Sequence, residues 1–140
     1  MKKSAALVLL LFSFLMVQGQ DQETPKPVAP YSQSVMTKSG ILFVSGQIPI
    51  NPETNELVKD DIKAATSQVM KNIGIILKKN GMDYSNIVKC TIFLTDINDY
   101  SAVNKVYGSF FEGQYPAREA IQVVNLPLGA LIEISAIASE

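Results

Sequence analysis

Only two stretches of this chain carry helical periodicity, and short runs of strand-forming residues bracket them in an order that leaves few folds open. Between Asp61 and Asn80, residues Ile62, Ala65, Val69, Ile73, Ile76 and Leu77 recur at helical spacing, so one face of a helix is apolar. Lys78 and Lys79 stand in its last turn and Gly81 just beyond it, where cations and a left-handed residue are favoured. A second helix is predicted after Asp96–Asp99, whose side chains can cap it. Tyr100, Val103, Tyr107, Phe110 and Phe111 fall on one face as core aromatics and aliphatics, and Tyr115-Pro116 ends it. Ser34 to Ser39 and Ile41 to Ser45 read as a hairpin around Gly40, followed by a proline-containing loop from Ile48 to Glu56. Strands are predicted at Ile87 to Leu94, Arg118 to Val124 and Leu131 to Ala138, with Leu126-Pro127-Leu128-Gly129 as the last turn. The order ββαβαββ is that of an α+β sheet with two helices on one face. A chain of 140 residues has length for one domain and nothing left to cover the sheet's other face, so further copies of itself are the economical cover.

The first twenty residues differ from the rest. Lys2 and Lys3 precede an apolar run from Ala5 to Met16, and Val17-Gln18-Gly19 offers small residues at a cleavage point, the pattern of a secretory signal peptide over 1–19. The run is shorter than the roughly 20 residues a membrane-crossing helix needs, so no anchor is expected after cleavage and the protein is expected to be exported, periplasmic or secreted. Residues 20–30, with Pro25, Pro27 and Pro30, read as an extended arm, leaving the domain at 31–140.

Composition excludes several chemistries. The chain has no histidine, one cysteine (Cys90) and one arginine (Arg118), so a Ser-His-Asp triad, a His-ligated metal and an intramolecular disulfide are impossible. Lys plus Arg number 12 against 13 acidic residues, and cleavage would remove two lysines. A mildly acidic chain lacks the electrostatic footprint for gripping a phosphate backbone, so nucleic acid is not an expected partner. Glycines are scattered singly, which leaves nucleotide or flavin cofactors without a phosphate loop. Cys90, inside an apolar run, reads as a small buried hydrophobe.

Two charges on predicted strands stand out. Alternation puts Arg118, Ala120, Gln122 and Val124 on one face and Glu119, Ile121 and Val123 on the other. A guanidinium matches a carboxylate in bidentate fashion, which makes Arg118 the natural anchor for an anionic ligand; the alternative is a surface or interface salt bridge. Glu133 lies in Leu131-Ile132-Glu133-Ile134-Ser135-Ala136-Ile137, where a carboxylate is costly unless paired or used, and it serves either as a base that orients water or as a solvent-facing residue. Tyr31, Ser45 and Asn104 can hydrogen-bond a ligand or act as caps and turn residues.

Four motifs in order, Ala29-Pro30-Tyr31-Ser32-Gln33, Val44-Ser45-Gly46-Gln47-Ile48-Pro49, Tyr115-Pro116-Ala117-Arg118 and Ile132-Glu133-Ile134-Ser135-Ala136-Ile137-Ala138, make the chain resemble the RidA/YjgF/YER057c family of enamine and imine deaminases. The resemblance runs from about Val28 to the C-terminus. It implies a chorismate-mutase-like fold assembled as a homotrimer, with clefts between neighbouring subunits. It implies that Arg118 binds a substrate carboxylate, that Glu133 is associated with the hydrolytic water, and that Tyr31, Ser45, Gly46 and Asn104 line the same cleft. Ala120 stands where many members carry cysteine, which removes a thiol from the cleft. The implied activity is hydrolysis of 2-imino acids such as 2-iminobutanoate and 2-iminopropanoate to 2-oxo acids and ammonium, with no metal or organic cofactor. A non-catalytic, holdase-like or small-molecule-binding trimer is the alternative.

Overall fold

A computed structural model describes residues 29–140; the expected leader 1–19 and residues 20–28 of the expected arm lie outside the described residues. The elements are β1 (Ser34–Met36), β2 (Ile41–Gln47), α1 (Ile62–Lys79), β3 (Ile87–Leu94), α2 (Tyr100–Gly108), β4 (Ala117–Gln122) and β5 (Ile132–Ser139), the ββαβαββ order expected. They form one five-stranded sheet in the order β1-β2-β5-β3-β4. Its pairings are antiparallel except that of β3 with β4, which α2 connects as a crossover.

Both ends of α1 are built as its sequence predicts. The Asp61 carboxylate accepts from Lys63 N at 3.2 Å and Ala64 N at 3.1 Å, and Gly81, at φ +74°, donates its N–H to Lys78 O at 3.1 Å. The apolar face of α1, with Ala65, Val69, Ile73 and Leu77 fully buried, lies on the inward residues of the sheet. Those are Leu42 and Val44 from β2, Cys90, Ile92 and Leu94 from β3, and Ile132, Ile134, Ala136 and Ala138 from β5. Val103 and Tyr107 of α2 complete the core.

Several boundaries differ from expectation: β1 stops at Met36 rather than Ser39, β2 continues to Gln47 rather than Ser45, β4 begins and β5 begins and ends one residue away, and the ends of α2 and β4 move further. The second helix stops at Gly108 rather than continuing to Tyr115-Pro116. The Ser109 hydroxyl donates to Val106 O at 2.7 Å, satisfying a terminal carbonyl. Phe110 and Phe111 then leave the helix yet still pack on the core, stacking near Tyr84 and Tyr107 with ring centroids 5.4 and 4.8 Å apart. Strand β4 ends at Gln122 rather than Val124, because its parallel partner β3 ends at Leu94. The last ladder-like bond is Val123 N to Leu94 O at 2.8 Å, and Val124 is left in solvent.

The other face of the sheet carries two apolar pairs, Phe43 beside Ile137 and Phe93 beside Ile121, separated by Thr91, Ser135 and Glu119, with Phe43 46 % and Ile121 45 % exposed. Among the described residues nothing covers it. No described helix is long and apolar enough to cross a membrane.

Candidate functional site

The residues singled out in the sequence gather into two groups, and the sheet separates them. The first surrounds an open cleft of about 410 Å³ whose wall includes Tyr31, Ser45, Gly46 and Glu133. The register of β2 against β5 shifts between Val44 and Gln47, and Ser45 and Gly46 occupy the irregularity. Ser45 ties the preceding segment to it: its N–H donates to Gln33 O at 3.0 Å and its hydroxyl to Ser32 O at 2.7 Å. The hydroxyl proton is thereby used, and the oxygen's lone pairs remain for a ligand. Glu133 projects from β5 on the face opposite Ile132 and Ile134. Its carboxylate occupies the space a side chain at Gly46 would take, so a substitution there would push the Glu133 carboxylate out of its place in the cleft.

No hydrogen-bond donor or cation among the described residues meets the Glu133 carboxylate. Half-burial in an otherwise apolar cleft therefore raises its pKa above the ordinary 4.5, since desolvation penalises the charged form without a compensating partner. That is the behaviour of a carboxyl able to exchange a proton nearer neutrality than a solvated one.

The cleft also recruits residues that alternation and spacing did not point to. Ile48, Ile50, Pro127 and Leu128 supply apolar walls. Asn72 of α1 is buried beneath them and donates through Nδ2 to Ile50 O at 2.9 Å and Ile48 O at 3.3 Å, while its Oδ1 accepts from Gln68 Nε2 at 2.9 Å. Leu128 at the lip adopts φ +56° and is 69 % exposed.

The second group stands on the helix side of edge strand β4. Arg118 pairs in register with Cys90 and Ala120 with Ile92, so both side chains turn toward α2, and Glu119 and Ile121 turn to the opposite face as alternation predicts. Glu119 there bridges to Lys89 Nζ at 3.0 Å and accepts from Thr91 Oγ1 at 3.0 Å; the lysine's hydrogen bond, then that of Thr91, holds its carboxyl below the usual range. Ala120 is half-buried on the core and leaves no thiol near the arginine.

Arg118 itself has no carboxylate partner among the described residues. Neutral groups hold it: Nη1 donates to Asn104 Oδ1 at 2.8 Å and Nη2 to the Tyr100 hydroxyl at 2.9 Å. Its guanidinium carbon lies 5.4 Å from the Tyr100 ring centroid and 5.1 Å from that of Tyr107. Tyr100, Asn104 and Tyr107 succeed one another along one face of α2, so a single helix face forms the clamp. Helical spacing alone places both Tyr100 and Tyr107 on the core face. Tyr107 is buried, but Tyr100 is 41 % exposed, and the signal was its spacing to Asn104 rather than its hydrophobicity. Beneath the arginine the buried Tyr107 hydroxyl faces the Cys90 thiol without a well-formed hydrogen bond, and burial pushes up the pKa of both.

A salt bridge within the chain is thus excluded as the reason for Arg118 among the described residues. The guanidinium's orientation is fixed, and three of its five N–H groups are uncommitted among the described residues. Glu133 and Arg118 cannot serve one small ligand from the same chain. They leave opposite faces of the sheet, on strands separated by β3, with Phe93 and not Cys90 in register with Glu133.

Comparison with known proteins places this arrangement. The family model described as Endoribonuclease L-PSP matches residues 21–140. The chain belongs to the RidA/YjgF family. This RidA/YjgF chain is 43 % identical over 116 residues to the human protein named 2-iminobutanoate/2-iminopropanoate deaminase, covering 83 % of this chain and 84 % of that one. The crystal structure of YyfA from Yersinia pestis, described as a member of the conserved Rid protein family, is 47 % identical with a TM-score of 0.81, over 86 % of this chain and 94 % of that one. The structure of TdcF from E. coli with bound serine is 36 % identical with a TM-score of 0.80, over 85 % and 94 %. The RidA/YjgF fold, a mixed five-stranded sheet with two helices, is therefore that of this chain.

Proposed function

We propose that this protein hydrolyses 2-imino acids and their enamine tautomers to 2-oxo acids and ammonium, as a homotrimer whose sites lie between subunits. The observation that carries the reading is Arg118: a sole arginine, clamped by Asn104 and Tyr100, with no acid to neutralise it among the described residues. Such a group suits a carboxylate from outside the chain. The human relative's name and the amino acid bound by TdcF supply the ligand class, a small molecule with a carboxylate beside a nitrogen-bearing carbon. The uncovered sheet face, with its apolar pairs Phe43–Ile137 and Phe93–Ile121, supports assembly, and assembly supplies what one chain lacks: Arg118 of one subunit brought to the Glu133 cleft of a neighbour.

The chemistry follows from those two groups. Arg118 fixes the carboxylate and so places the C=N carbon in the cleft. Glu133, a carboxylate whose raised pKa makes it a usable base, accepts a hydrogen bond from water and draws off its proton as the water oxygen attacks that carbon. The proton drawn off by Glu133 passes to the nitrogen to give the carbinolamine; the carbinolamine hydroxyl proton then moves to the nitrogen as the C–N bond breaks, and ammonia leaves with the electron pair, giving the 2-oxo acid. The Ser45 oxygen and the Tyr31 hydroxyl complete the cleft as polar groups for the water and the leaving nitrogen. Acid–base assistance of this kind accelerates a step by about 10²–10⁴-fold, which suits a reaction that already proceeds in water. We also propose export on the signal-like sequence of Met1 to Gln20, which N-terminal sequencing of the protein from cells would test.

The test is ammonium release from 2-iminobutanoate generated in situ by an amino-acid oxidase, with wild type and Arg118→Ala compared at equal concentration. Wild type should accelerate release, and Arg118→Ala should lose about tenfold or more in kcat/KM while keeping its oligomeric state. Ligand-dependent thermal stabilisation by a 2-oxo acid with no acceleration would replace this reading with a binding protein. An Arg118→Ala variant that dissociates would make the arginine an interface residue.

A further inference from the structure

We propose that Tyr100 is a substrate-binding residue of this chain: with its oxygen already accepting from Arg118, its phenol O–H donates a second hydrogen bond to the carboxylate that Arg118 binds. The inference rests on the anion-anchor role of Arg118 and adds a named donor to it.

Three observations point to this role. The Tyr100 hydroxyl accepts from Nη2 at 2.9 Å, and no acceptor among the described residues takes its own proton. A hydroxyl donates one hydrogen bond and accepts others, so the proton remains for a group beside the guanidinium. Tyr100 is the first residue of α2 and is 41 % exposed, so the phenol stands at the open side of the arginine while Tyr107, on the same helix face, closes the buried side. The guanidinium and the phenol are also linked electrically. Hydrogen bonds in a chain polarise one another, so a phenol whose oxygen accepts from a cation is a stronger donor than a free one. A carboxylate has about four lone-pair sites, and a bidentate arginine uses two of them, which leaves an oxygen site for the phenol.

A residue that only held Arg118 in place would also sit at 2.9 Å from Nη2, so the test must separate donating from accepting. The full chain is compared as wild type, Tyr100→Phe and a variant with a fluorinated tyrosine at position 100, all at one mildly acidic pH. The probe is 2-oxobutanoate, with affinity read by calorimetry and KM and kcat read with 2-iminobutanoate. Phenylalanine keeps the ring over the guanidinium and removes only the hydroxyl. The expected result is an affinity about tenfold weaker in Tyr100→Phe, the scale of a hydrogen bond to a charged group, with KM raised to match and kcat within about twofold of wild type. Fluorination makes the phenol a better donor and a poorer acceptor, so the fluorinated variant should bind 2-oxobutanoate more tightly than wild type.

If fluorination and phenylalanine both weaken binding, the phenol is only an acceptor that holds Arg118, and the proposal is overturned. Equal affinity in wild type and Tyr100→Phe overturns it too, while leaving Arg118 as the anchor. Failure of the wild type to bind 2-oxobutanoate removes the anion-anchor reading and this proposal together. The failures are therefore distinguishable.

Discussion

Glu133 illustrates how one side chain links the sheet's stability to its chemistry. Its carboxylate is pressed against Gly46 in a cleft whose neighbours offer it no donor, so its pKa in the folded protein lies above the 4.5 of a solvated glutamate. Between those two values the folded chain binds more protons than the unfolded one, and stability falls as pH rises through that window. Above the window the charged carboxylate opposes folding. Glu133→Gln should therefore melt at a higher temperature than wild type at pH 7 to 8, and thermal scans across pH should show the advantage vanish once wild type is protonated as well. Activity should move the other way: wild-type deamination falls as pH drops through the raised pKa, whereas the glutamine variant is slow at every pH, by about 10²-fold if the group acts as a base. A variant as active as wild type but more stable would make Glu133 a residue of strain alone.

At the scale of elements, the cleft depends on a contact from the helix layer. Asn72, one turn from Gln68 on α1, holds the Ile48 and Ile50 carbonyls of the loop after β2, and those residues form the cleft's apolar wall. Asn72→Ala would leave the Ile50 carbonyl without a donor and the Ile48 carbonyl with only the Ile50 N–H, so denaturant unfolding should show a loss of about 1–3 kcal/mol, and amide exchange should rise over residues 48–58 before it rises in β5. Nothing in the spacing of α1 marks this role, because Asn72 falls beside Val69 and Ile73 and a polar residue there is equally consistent with the helix margin. Helix α1 was legible to within a residue at either end, since its period, its Asp61 cap and Gly81 all agree. Helix α2 was legible only at its start: Phe110 and Phe111 preserve apolar spacing although the backbone turns away after Gly108. Alternation sufficed to separate Arg118 from Glu119 on β4, where one face meets a helix and the other does not. It failed for Glu133, because β5 carries Ile132 and Ile134 inward and Ile137 outward, and a strand apolar on both faces does not say which side a lone carboxylate takes. The close approach of Glu133 to Gly46 came only with the register shift of β2.

At the scale of the whole molecule, the described residues form a sheet with one covered face and one uncovered face, and its two candidate half-sites lie on different sides of it. Arg118, Asn104 and Tyr100 form a donor group under α2, while Tyr31, Ser45, Gly46 and Glu133 form an acceptor-rich cleft at the other end of the central strands. Register fixes the separation: Glu133 lies beside Phe93 and Arg118 beside Cys90, about three residues or ~10 Å along the strands and about two strand spacings or ~10 Å across them, on opposite faces. No side-chain rotation closes that gap. If the site is completed between subunits, Arg118→Ala and Glu133→Gln chains, each impaired alone, should complement one another when unfolded together and refolded at equal amounts. A site then works when its arginine comes from the glutamine variant and its glutamate from the alanine variant, which random assembly of a closed ring provides about a quarter of the time. Ammonium release from 2-iminobutanoate should return to about that fraction of wild type. An intrachain site allows no such recovery, because every chain in the mixture lacks one group, so activity that stays at the level of the separate variants would refute a site shared between copies.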